Sequence, residues 1–217
     1  MAILKYTIGY IDLRSELTEL FKRIKCRTEI RYAEKNNVSV QIYYGNAEVG
    51  VIDECRVMLK QLLKNEYVPY SKGYDLLLAD PENYLLVAYR NNQAVSFVLI
   101  LPKTANSFFG KEKTAFLGLS ATVHSEKKYC PNYLLIWQAI EFLKSQDFIF
   151  FNLGLLIYLN ARDSALANVA FFKQKWAISQ TEITENCSMT KYVYYRYLKR
   201  FKFIRVALYL IKKIINK

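Results

Sequence analysis

The stretch Phe148–Trp176, FIFFNLGLLIYLNARDSALANVAFFKQKW, places the strongest limit on what this chain can fold into. It begins with the apolar run Phe148–Phe151, and Asn152-Leu153-Gly154 closes that run. A short apolar run bounded by a polar residue and a glycine predicts a buried strand that stops at a turn. A polar loop, Asn160–Ser164, follows. Apolar residues at Leu166, Val169, Ala170 and Trp176 then predict a helix. Strand, loop and helix in that order aim side chains at a pocket beyond the end of a sheet.

The rest of the chain supplies the partners of that strand. Strands are predicted at Tyr6–Ile11, Val38–Tyr44, Tyr84–Arg90, Ala94–Leu101 and Thr114–Thr122, with one or two more within Ile178–Tyr195. Asn91-Asn92-Gln93, between two apolar strands, is a hairpin signal. Helical spacing covers Leu13–Ile24, Cys26–Asn37 and Gly50–Lys64. Pro131 starts a further helix that runs to about Lys144, since proline suits the first helical turn. A mixed, mostly antiparallel sheet built around a hairpin and flanked by helices is an α+β fold.

Composition narrows the class. With 217 residues, 53% of them hydrophobic, the chain can bury a core as one domain. Seven glycines and four prolines leave little room for linkers. Cys26, Cys55, Cys130 and Cys187 lie far apart without a CxxC pair, which argues against a zinc site or a disulfide framework and fits a reducing compartment. The single histidine, His124, rules out a multi-histidine cluster, so no metal site is expected. The N-terminus lacks the basic and apolar regions of a signal peptide. The longest uncharged apolar-rich run, Phe148–Ala161, is shorter than the roughly 20 residues a bilayer span needs. The expected location is cytoplasmic, with docking at the inner membrane face as a further expectation from the tail.

The formal net charge of +12 is uneven. Thr190–Lys217 holds nine basic residues and no acidic one, whereas the remainder holds 22 basic and 19 acidic residues. A uniformly basic nucleic-acid surface is therefore not indicated. Residues 1–200 read as one domain and 201–217 as a basic amphipathic helix, with Phe201, Ile204, Leu208, Ile211 and Ile215 on one face. Such a helix can pack on the domain, lie on an anionic membrane or meet transfer RNA phosphates.

No P-loop, GxGxxG, HExxH or GxSxG pattern is present. Four segments in order do resemble a known family. They are Arg27-Thr-Glu-Ile-Arg-Tyr-Ala-Glu-Lys35-Asn-Asn-Val38, Ala115-Phe-Leu-Gly-Leu-Ser120-Ala, Pro131-Asn-Tyr-Leu-Leu-Ile-Trp137-Gln-Ala-Ile, and Phe151-Asn-Leu-Gly followed by Asn168-Val-Ala-Phe-Phe-Lys173-Gln-Lys-Trp176. Together they resemble the FemAB-type aminoacyltransferases of the GNAT-like acyltransferase superfamily, as a single GNAT-like unit. The resemblance implies a GNAT-like mixed sheet and acyl or aminoacyl transfer to an amine. The acceptor it implies is a cell-envelope precursor, in peptidoglycan or in a surface polysaccharide. It implies no bound cofactor, and an acyl donor that is either aminoacyl-tRNA or acyl-CoA. The glycine loop of acetyl-CoA enzymes is absent; that place reads His124-Ser-Glu-Lys-Lys-Tyr-Cys-Pro.

The resemblance also carries the candidate residues. Lys173 matches the family lysine that contacts the donor or the developing charge, and the alternative is that Lys173 and Lys175 are solvated. Asn152 replaces the commoner aspartate, and an amide orients groups but cannot act as a general base. Arg27, Arg31 and Lys35 recur at every fourth position and form either a solvated helix face or a site for an anionic group. Ser120, Asn132 and Tyr133 fall near a strand–helix junction and are candidates to line the pocket. Two other readings compete with the enzyme: a catalytically degenerate, membrane-associated module of the same fold, and an RNA-binding protein without catalysis.

Overall fold

Seven strands pair into one sheet in the order β2-β3-β4-β5-β6-β1-β7. The structure, a computed structural model, describes residues 2–45, 47–66, 68, 70–102, 112–158, 167–176 and 179–189. In chain order these hold β1 (Ala2–Asp12), α1 (Leu17–Arg23), α2 (Arg27–Lys35), β2 (Ser39–Tyr44), α3 (Val49–Asn65), α4 (Lys72–Ala79), β3 (Tyr84–Arg90), β4 (Gln93–Leu101) and β5 (Thr114–Thr122). A 3-10 turn at His124–Tyr129 then leads into α5 (Pro131–Ser145), β6 (Phe150–Tyr158), α6 (Ala167–Gln174) and β7 (Ser179–Cys187). The expected Asn160–Ser164 loop, the helix expected over 201–217 and the boundary at residue 200 lie outside the described residues.

Every neighbouring pair is antiparallel except β5 with β6. The centre follows from composition. YLLVA in β3 and VSFVLI in β4 offer few polar side chains on either face, so both strands are buried on both sides. Asn91 and Asn92 join them with φ of +52° and +59°, the two left-handed residues that a tight hairpin turn needs.

Each face of the sheet carries its own core. One contains Ile11, Leu86, Ile100, Phe151, Trp137 and Trp176, closed by Leu20 of α1, Ile30 and Ala33 of α2, and the apolar side of α5. The other packs Cys55, Met58 and Leu59 of α3 and Leu78 of α4 against Val87, Phe97 and Leu99. The two tryptophans are core residues, as their spacing suggests. Cys26, Cys55 and Cys130 are free thiols.

Besides β1, which runs Ala2–Asp12 rather than Tyr6–Ile11, three elements differ from the sequence reading. The helix expected over Leu13–Ile24 is confined to Leu17–Arg23. Asp12 explains this, because its carboxylate accepts from Arg14 N at 3.0 Å and turns the chain, while Leu13 N donates to Ile149 O at 2.9 Å and extends the strand instead. An unforeseen helix, α4, forms where Ser71 Oγ accepts from Gly73 N at 3.2 Å and caps the first turn. The third difference bears on function: β6 does not end at Asn152-Leu153-Gly154 but continues to Tyr158. Gly154 adopts φ +77° within the strand, and Asn152 Oδ1 accepts its N–H at 2.7 Å. What reads as a turn is a bulge.

Candidate active site

The parallel contact between β5 and β6 is brief. Thr114 pairs with Phe150, Ala115 with Phe151 and Phe116 with Asn152, and registered pairing stops there. Bulges account for the separation. In β5 the partners of Leu99 and Ile100 are Leu119 and Leu117, so Gly118 is an extra residue. In β6 the partners of Gly9 and Tyr10 are Gly154 and Asn152, and those of Thr7 and Ile8 are Ile157 and Leu155, so Leu153 and Leu156 are extra. An extra residue bends its strand and increases its twist. Each strand remains paired on its outer side, β5 with β4 and β6 with β1. The result is a fork that opens beyond Phe116 and Asn152.

Lys173 of α6 reaches this fork. Its Nζ donates to Leu155 O at 3.2 Å, in the part of β6 that has parted from β5. No carboxylate among the described residues pairs with it, and burial pushes its pKa down from 10.5 to about 8. A half-buried ammonium whose partner among the described residues is a carbonyl is costly to fold, and titratable groups perturbed in this way concentrate at functional sites. Gly154 makes the approach possible, since a Cβ at Gly154 would lie 3.2 Å from Phe116 Cε2 and 3.5 Å from Lys173 Nζ. Asn152 is 1% exposed and holds the bulge by accepting the Gly154 N–H.

Lys175 has a different setting. Its Nζ lies 2.5 Å from Glu29 Oε1 and donates to Tyr133 Oη at 3.3 Å. It also stands 5.2 Å and 5.3 Å from the ring centres of Tyr133 and Phe171. The Tyr133 ring packs against Phe172 and Trp176. Burial works against charge on Glu29, yet the Lys175 ammonium holds its carboxyl below the usual range. This clasp ties α2, α5 and the end of α6 together.

The candidate residues therefore do not form one cluster. Lys173 and Asn152 meet at Gly154, and Tyr133 and Lys175 meet at Glu29. Ser120 is exposed on the diverging part of β5, and Asn132 is half-buried in the first turn of α5. Arg27 and Arg31 are exposed on α2, where the Arg31 guanidinium lies 5.7 Å from the Phe21 ring centre. Sequence reading missed Glu29 and Phe116. Glu29 has a weak signal as the one acid between Arg27 and Arg31, while Phe116 looks like any apolar strand residue. Among the described residues no group of three His, Cys, Asp or Glu side chains is placed to hold a metal ion, and no helix is long and apolar enough to cross a membrane.

No family model and no curated protein matches the sequence. Solved structures do match the fold. The structure of FemX superposes with a TM-score of 0.63 at 11% identity, covering 86% of this chain and 63% of that one. The C-terminal domain of a putative lysylphosphatidylglycerol synthetase from Agrobacterium fabrum gives 0.59 at 13%, covering 91% of this chain and 67% of that one. An aminoglycoside acetyltransferase from an uncultured soil metagenomic sample, solved with sisomicin, gives 0.50 at 13%, covering 71% and 97%. At these identities the likeness is one of fold, and the chain spans about two thirds of the length of the first two.

Proposed function

We propose that this chain, which has the FemAB-like and GNAT-like fold of those structures, is an acyltransferase. It moves an acyl or aminoacyl group onto an amine of a cell-envelope precursor, a peptidoglycan or surface-polysaccharide intermediate. The observation that carries the reading is Lys173, a half-buried amine with no counter-charge among the described residues, at the fork between β5 and β6. Acyl transfer develops negative charge on the donor carbonyl oxygen, and a preorganised cation in a water-poor site stabilises that charge most. The acceptor nitrogen attacks the carbonyl carbon and the C–N bond forms. The C–O bond of an aminoacyl-tRNA, or the C–S bond of an acyl-CoA, breaks, and its electron pair leaves with the oxygen or sulfur. The proton released by the amine ends on that leaving group. In this reading Lys173 is the catalytic residue, and Asn152, through Gly154, shapes the fork beside it. Ser120, Asn132, Tyr133 and Lys175 line the approach, and Arg27 and Arg31 meet anionic parts of donor or acceptor. The basic tail holds the enzyme to an anionic membrane or to tRNA.

Calorimetric titration with acetyl-CoA, and separately with charged and uncharged tRNA, tests the proposal. Binding of acetyl-CoA or preference for charged tRNA supports it and identifies the donor. Lys173→Ala turning over at the wild-type rate would sink the role of Lys173. One observation favours a second reading: Asn152 is an amide committed to Gly154, so the fork offers no carboxylate there as a base. A catalytically degenerate, membrane-associated module of the same fold would bind neither donor and would bind anionic vesicles.

A further inference from the structure

We infer that Phe116 sets the size of the acyl group the fork accepts, and that this group is small. The inference rests on the acyl-transfer reading and adds to it the floor of the same site. Phe116 is the last residue of β5 paired with β6, opposite Asn152. Its half-buried ring turns toward Gly154, where a Cβ would lie 3.2 Å from Cε2 and 3.3 Å from Cζ. Lys173 Nζ lies 3.5 Å from that same point. The two distances share one origin, so amine and ring edge are at most about 7 Å apart, which leaves no more than one row of carbon atoms between them at van der Waals separations of about 3.5–4 Å. A donor carbonyl hydrogen-bonded to the Lys173 ammonium has two sides. The open side of the fork must admit the attacking amine and release the leaving group. The acyl substituent is left with the closed side, where the ring stands. That limit admits at most a substituent of acetyl or glycyl size, whereas a long chain or an aromatic side chain meets Phe116. The fitting donors are thus thioesters or esters of short acyl groups.

The test compares wild type, Phe116→Leu and Phe116→Ala on acetyl-, butyryl- and hexanoyl-CoA and on tRNA charged with glycine or phenylalanine. The expected result is a ratio of kcat/KM, large donor over small, that rises at least tenfold in Phe116→Ala and less in Phe116→Leu. A ratio unchanged in both variants, with donors still turned over, overturns the inference and leaves acyl transfer standing. Wild-type turnover of no donor removes acyl transfer and the size limit together. A second measurement does not depend on turnover: the titration of Lys173, followed by NMR on side-chain-labelled lysine. A midpoint that moves upward when Phe116 becomes alanine shows that the ring shields the amine. A midpoint that stays in place overturns the contact on which the size limit depends.

Discussion

Lys173 illustrates how a buried amine lowers the stability of its own fold. Its folded pKa, about 8, lies below the ordinary 10.5, so between those values the unfolded chain binds more protons than the folded one. Stability attributable to this residue therefore rises with pH from about 8 to 10.5, and below pH 8 the full cost of the buried ammonium is present. Lys173→Met should lose transfer activity and yet unfold at a higher denaturant concentration than wild type at pH 7. The difference should shrink toward pH 10.5, as paired urea melts at both pH values would show. Gly154 makes the opposite prediction. Its φ of +77° and the nearby Phe116 ring both resist a side chain, so Gly154→Ala should cost about 1–3 kcal/mol in thermal unfolding. Asn152→Ala removes the acceptor for Gly154 N–H and should cost about 1–3 kcal/mol, because a buried donor is left unpaired.

At the scale of elements, the clasp of Glu29, Lys175 and Tyr133 joins α2 to α5 and to the residue just past α6. The pair is partly exposed, with side chains 26% and 21% accessible, so it belongs between surface and buried ion pairs in worth. Glu29→Gln should cost about 1–2 kcal/mol at neutral pH. The depressed carboxyl contributes stability above its unfolded value of 4.5 and loses it as pH falls through the folded value, so wild type and variant should converge in acid. The elements themselves were largely legible. Period-two and helical spacing, the Asn91-Asn92 turn and Pro131 locate β2 to β5, α2, α3 and α5 within a residue or two. The misses have local causes. Asp12 bends the chain where apolar spacing suggests continued helix, and α4 hides behind Pro69 and Gly73. Gly154 punctuates a strand without ending it.

At the scale of the whole molecule, the fork was not legible at all. It arises from single extra residues at Gly118, Leu153 and Leu156, and register leaves no mark on composition or spacing. The family resemblance pointed to Lys173 and Asn152 but not to Phe116 or Glu29, which matter only once distant segments meet. Charge is also a property of the whole. The excess sits in Thr190–Lys217, so any attachment to anionic vesicles should weaken steeply as salt shortens the screening length to about 8 Å at physiological ionic strength. Vesicle co-sedimentation at two salt concentrations checks this; salt-independent binding would assign the attachment to apolar contact instead.

The place of β1 carries a consequence for how the protein is made. β1 leaves the ribosome before both of its partners, Phe150–Tyr158 on one side and Ser179–Cys187 on the other. The hairpin of β3 and β4 can close as soon as it emerges, but β1 must wait for β6 and β7. Contacts that span such a separation form slowly, and an unpaired strand is open to wrong partners while it waits. Translation thus completes this sheet in reverse, with β1 among the last of the seven strands to find its neighbours, and the yield in a cell should depend on chaperones that shield β1 until residue 187 has emerged.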